Sequence, residues 1–137
     1  MSAASDYLEN AVLDHVLGEG ARNLTSPATL YVGLFTDSGS TAANLEAGTL
    51  TDEVSGNGYD RKTVDFDAAS GGSTQNSATV TFDPASGGNW GEITHVAVLD
   101  AASAGNVLFY GAVTTPKTIE DGDTFQISTG NLTITLA

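Results

Sequence analysis

Residues 87–119 read GGNWGEITHVAVLDAASAGNVLFYGAVTTPKTI. Two apolar runs stand out in this stretch, 93–99 and 107–113, seven residues each and separated by the small, turn-prone residues 100–106. Both are rich in Val, Ile, Phe and Tyr, at strand length and with strand composition. A hairpin that is apolar on both faces cannot sit at a wet edge, so it predicts the centre of a sheet sandwich. The rest of the chain is then expected to cover it.

Downstream, Thr115-Pro116-Lys117 is expected to end pairing, and residues 120–123 (EDGD) to make a tight turn. Residues 124–128 (TFQIS) and 132–136 (LTITL) predict a closing hairpin around Thr129-Gly130-Asn131. Upstream, residues 77–82 (SATVTF) predict a strand with Ala78, Val80 and Phe82 facing one way. Residues 68–75 read as a turn, and residues 59–67 (YDRKTVDFD) as a half-exposed strand with Tyr59, Arg61, Thr63, Asp65 and Asp67 opposite Val64 and Phe66. Residues 29–36 (TLYVGLFT) predict a strand covered on both faces, whereas residues 37–58 lack periodicity. They read as a long loop pinned by Leu45 and Leu50, of the kind that is functional or mobile.

Before a connector at 21–27, residues 5–17 (SDYLENAVLDHVL) predict a helix. Ser5 is a good N-cap, Asp6 and Glu9 complement the macrodipole, and Gly18 and Gly20 stop it. Leu8, Val12 and Val16 form an i, i+4, i+8 stripe, but Tyr7, Leu13 and Leu17 widen the apolar surface beyond one face. Such a helix is expected to pack on a neighbouring subunit as well as on its own domain. The pattern is mainly β: an antiparallel β-sandwich, jelly-roll or immunoglobulin-like, of seven or eight strands, forming one domain over 1–137 with the sandwich at 28–137.

Four basic residues (Arg22, Arg61, Lys62, Lys117) face seventeen acidic ones, for a formal charge of −13. Nucleic-acid binding needs cations against phosphate and is excluded; an anionic membrane surface is disfavoured for the same reason. The chain has no cysteine, hence no disulfide or thiolate chemistry. Its start lacks the pattern of a signal peptide, and no window has the apolar length of a membrane span. Depleted Lys, abundant Asp and many small residues fit adaptation to high salt.

No catalytic motif emerges. His15 and His95, the two histidines, read as structural, and there is no Gly-x-Ser-x-Gly elbow or His-Glu-x-x-His helix. Gly56-Asn57-Gly58 lacks the following helix that phosphate binding needs. Asp65-x-Asp67 and Asp121-x-Asp123 are candidate ligands for Ca2+ or another hard cation, without EF-hand spacing. Their alternative is solvated surface acids, and no cofactor is expected otherwise. Trp90, the sole tryptophan, sits in a glycine turn. It either stacks on a sugar or partner, as Tyr59 could, or caps the core at the mouth of the hairpin. Asn23 and Asn131 match the glycosylation acceptor pattern.

Five runs carry a likeness: 30–36 (LYVGLFT), 53–59 (EVSGNGY), 90–118 (WGEITHVAVLDAASAGNVLFYGAVTTPKT), 122–127 (GDTFQI) and 130–136 (GNLTITL). Through them the chain resembles the small tail-fibre-like virion proteins of tailed viruses of bacteria and archaea. The resemblance implies a structural component of a virus particle, with no catalytic residues to transfer, and leaves its location in the particle open; the exterior is the expected place. A compact sandwich with an anchoring helix suits a capsid decoration, turret or fibre-base protein. It would form a homo-oligomer, trimer or pentamer, and bind the major capsid protein or other virion proteins. Tyr7, Leu8, Val12 and Val16 are the expected subunit-interface residues. The alternative is an adhesin module that binds a host-surface receptor or glycan through Tyr59, Trp90 or the loop 37–58. The acidity departs from ordinary bacterial-virus members and resembles a virus of a salt-loving host, such as a haloarchaeon.

If the acidity is a salt adaptation, dialysis from about 1 M to about 0.1 M salt lengthens the Debye length from roughly 3 Å to roughly 10 Å and restores self-repulsion. The thermal unfolding midpoint should then fall; an unchanged midpoint would sink the salt reading.

Overall fold

The computed structural model describes residues 2–18 and 24–136. Along the chain, β1 (Ala3–Ala4) precedes α1 (Asp6–Leu17), and β2 (Leu30–Thr36), α2 (Thr41–Glu46) and β3 (Lys62–Val64) follow. Then come β4 (Ser73–Gln75), β5 (Val80–Thr81), the hairpin β6 (Gly91–Leu99) and β7 (Val107–Ile119), and finally β8 (Gln126–Ile127) and β9 (Thr133–Thr135). The described residues thus hold nine strands where seven or eight are expected, in antiparallel pairing throughout.

β6 lies at the middle of a five-stranded sheet ordered β1-β7-β6-β2-β3. Side chains alternate across a strand, so β2 sends Val32 and Leu34 to one face and Phe35 to the other, all fully buried. On the first face, Val32, Leu34, Ile93 and Val98 pack with Val80, Phe82, Phe125, Ile127 and Ile134 of the second layer. On the second face, Phe35, Ala97, Leu99 and Val107 pack with Leu45 of α2. Leu45 therefore pins the 37–58 segment as expected, but that segment is not a featureless loop. Thr41 Oγ1 donates to Thr36 O at 2.9 Å at the start of α2. Thr36 N donates to Asp52 O and Val54 N to Leu34 O, each at 3.0 Å, so the segment returns along β2.

The second layer corrects the closing hairpin. Residues 124–128 and 132–136 do not pair with each other; β8 pairs with β5 (Val80↔Ile127) and β9 with β4 (Ser73↔Thr135). Residues 73–82 and 125–135 form one long ribbon interrupted in the middle, and residues 73–75, expected as a turn, are part of it. Alternation sets which way Ile127, Leu132 and Ile134 point, but it does not name the strand opposite. At the interruption, fully buried Asn76 replaces the ladder. Its Nδ2 donates to Ala78 O and Ser128 O at 2.8 and 3.1 Å, and its Oδ1 accepts from Leu132 N at 2.9 Å. The break also leaves Ala78 exposed, not inward-facing.

Two further expectations change. The 59–67 strand shrinks to β3 plus a bridge between Phe66 and Asn76, and Arg61 is buried. β7 does not stop at Pro116. Ile93 pairs with Lys117 while His95 pairs with Ala112, so residues 113–116 bulge opposite Thr94. A proline in a bulge costs no ladder hydrogen bond.

Asn76→Leu would strand buried carbonyl and N–H groups, each worth about 1–3 kcal/mol. A loss of roughly 3 kcal/mol or more in urea unfolding is expected. A loss below about 1 kcal/mol would show that the ribbon does not depend on the asparagine.

Candidate assembly surface

The helix forms as its sequence predicts. Ser5 Oγ accepts from Leu8 N at 3.3 Å, and Gly18 ends the helix in the left-handed region at φ 72°. Ser5 is also fully buried, its N–H donating to Leu108 O at 3.0 Å and its hydroxyl to Val107 O. These bonds anchor the start of α1 to β7. Leu8 and Ala11 then face inward and are buried. On the far side, Leu13 is 56% exposed and Val16 and Leu17 are each 71% exposed. The expected interface residues therefore divide: Leu8 is spent within the chain, Val12 is half-buried, and Tyr7 and Val16 face solvent. Leu13 and Leu17 join the outer set.

Of the aromatic contact candidates, Trp90 belongs to the core and Tyr59 is half-buried against it. Trp90 is buried, and its Nε1 donates to Asn57 O at 2.9 Å. Its ring meets Tyr59 edge-on at 5.4 Å between centroids, and Phe82 stacks on Tyr59 at 6.2 Å. Trp90 N donates to Ile119 O at 2.9 Å, which sets the indole at the foot of the hairpin. Tyr59 Oη donates to Glu53 Oε1 at 3.0 Å and accepts from Leu34 N at 2.9 Å. The Trp90 ring is thereby buried, and Phe82 covers one face of the half-buried Tyr59 ring.

Beside them lies a group that reading the sequence missed. Arg61 grips Glu53 through two bonds of 2.6 and 2.7 Å, and its Nη1 donates to Ala101 O and Ala104 O at 2.7 and 2.8 Å. The guanidinium thereby ties the end of the 37–58 segment to the turn between β6 and β7. The scarcity of cations was the available signal: one of only four basic residues lies eight positions after a glutamate.

Of the acidic pairs, Asp121 and Asp123 sit at a turn, and Asp65 and Asp67 flank the bridge between Phe66 and Asn76. Asp121 Oδ1 accepts from Gly87 N and Asp123 Oδ2 from Glu120 N, each at 3.0 Å. Asp65 and Asp67 are exposed. Among the described residues no three His, Cys, Asp or Glu side chains form a group that could hold a metal ion. His15 is exposed; His95 is half-buried, with Nδ1 2.9 Å from Thr94 Oγ1. Asn131 is exposed in its turn, and Asn23 lies outside the described residues. No helix among those residues is long and apolar enough to cross a membrane.

A groove of about 480 Å³ opens between β7 and the 125–134 run. It exists because β1 covers only Phe109 and Tyr110 along the outer edge of β7, while β8 and β9 pair with other strands. Val96, Phe109, Val113 and Ile127 make it apolar, and Lys117, Thr133 and Asn131 add polar groups. Ser2 Oγ accepts from Thr135 N at 3.1 Å across one end.

Burial and the nearby Glu53 carboxylate push the Tyr59 phenol well above its ordinary value. An unfolded tyrosine ionises above about pH 10 while the folded one resists, so Tyr59's contribution is intact below that pH and lost as pH rises further. The unfolding midpoint should fall above about pH 10, and less steeply in Tyr59→Phe; parallel slopes would refute the assignment.

A family model described as "Podophage GP4 fiber I protein gp80" matches residues 3–135, a span that takes in both helices and all nine strands. No curated protein matches the chain. The chain belongs to this family of tailed-virus fibre proteins.

Proposed function

We propose that the protein is a structural subunit of the particle exterior, acting by homo-oligomerisation and by attachment to the capsid or another virion protein. A capsid decoration, turret or fibre base fits its size, and a trimer or pentamer fits the symmetries of a shell and its vertices. The observation that carries the reading is the outer face of α1. Leu13, Val16 and Leu17 stand in solvent on a helix whose other side is fixed to β7, and an apolar patch of this kind marks an interaction surface. The adhesin alternative draws less support from its aromatic candidates, because Trp90 is buried and Tyr59 is half-buried against the core. The charge of −13 supports a particle that works in high salt, where like subunits approach without strong repulsion.

The direct test is to label the protein in intact particles and count its copies, expecting clusters of three or five on the outside. A protein confined to the particle interior would overturn the proposal. In solution, Val16→Asp should unfold with a midpoint within a few degrees of the parent, because the site is exposed. It should nevertheless lose assembly by light scattering at high salt. A wild-type protein that is monomeric there and does not bind particles would overturn the oligomer reading.

A further inference from the structure

The outer face of α1 and the groove beside β7 are complementary in chemistry and in size. Leu13, Val16 and Leu17 follow the i, i+3, i+4 spacing of a helix that anchors in an apolar groove. The same outward face carries Glu9, one turn before Leu13, and Asp6, so its first half is acidic and its second half apolar. The groove is polarised too. Ser2, Gly111 and Ile134 lie at one end and Lys117 and Phe125 at the other, with apolar Val113 and Ile127 along the walls.

Charge singles out the occupant. Of the three described Lys and Arg side chains, Arg61 is held by Glu53 and Lys62 by Asp83 at 2.6 Å. Lys117 is exposed, with no carboxylate in ion-pair range among the described residues. In a chain with seventeen acids, the groove therefore presents the one described cation free to meet an acidic partner. The lengths also match. From Glu9 to Leu17 a helix rises about 12 Å, and the groove runs along roughly 15–20 Å of β7.

We infer that the groove receives α1 of a second copy of this chain, with Leu13, Val16 and Leu17 seated on Val113 and Ile127 and with Glu9 facing Lys117. A helix on one copy entering a groove on the next is a heterologous contact, which generates a closed ring when the rotation closes. The inference rests on the homo-oligomer reading above and specifies its interface. It differs from a two-fold contact in which α1 meets α1.

The absence of cysteine makes the test direct. Leu17→Cys with Thr133→Cys in one chain should cross-link copies under mild oxidation into a ladder on non-reducing gels. Neither single variant should cross-link beyond background. Leu13→Cys with Thr115→Cys repeats the test if the first pair folds poorly. Lys117→Glu should shift assembly to protein concentrations on the order of tenfold higher at moderate salt, and Glu9→Lys added to it should restore assembly. Dimers from Leu17→Cys alone would show helix-to-helix packing and overturn the inference. So would a wild-type oligomer with no cross-linking from either pair, or normal assembly by Lys117→Glu; in all three cases the oligomer reading survives. A monomeric wild type would remove both.

Discussion

β6 carries apolar side chains on both faces, and the architecture follows from the need to cover both. Ile93, Ala97 and Leu99 are at most 1% exposed and Val98 is 3% exposed, and they belong to two separate clusters on opposite sides of the sheet. Each large apolar side chain taken out of water contributes about 1.5–3 kcal/mol, so neither face could be left wet. The ribbon of residues 73–82 and 125–135 closes one side. Leu45 of α2 and Leu50 close the other, with α1 alongside on β7. The seam between β7 and the ribbon remains open, and it forms the groove.

Apolar burial alone would tolerate many pairings; buried polar groups select among them. Asn76 joins the two halves of the ribbon where the ladder breaks, and Arg61 joins two segments about forty positions apart through Ala101 and Ala104. Among the described residues no buried side-chain nitrogen or oxygen lacks a partner. A misplaced ribbon would leave Asn76 unsatisfied in the core, at a cost that makes the native register the one tolerated.

The surface belongs to the acids. Several accept backbone N–H groups in turns, as Asp121 and Asp123 do, and burial, together with the Glu46 carboxylate, raises the Tyr110 phenol above its ordinary value. His15 is exposed, His95 lies beside Thr94, and Trp90 is buried with Tyr59 packed against it. The family to which the chain belongs is one of fibre proteins of tailed viruses.

The local pattern of residues determined much of this. The hairpin, the strand at 30–36 and the helix with its Ser5 cap were legible, because alternation, helical spacing and capping are short-range signals. The unusual acidity and the outward apolar residues of α1 were legible as well. Tertiary structure decided the rest. The runs 124–128 and 132–136 looked like partners because they are adjacent and both alternate, yet each pairs with a strand about 45 to 60 residues away. Trp90 and Tyr59 could have served a surface or a core until packing placed them together. Arg61 reads as an exposed cation until Glu53 and the β6–β7 turn close around it. Periodicity fixes the face a side chain takes, whereas strand partners and burial depend on contacts between distant segments, which only the folded chain supplies.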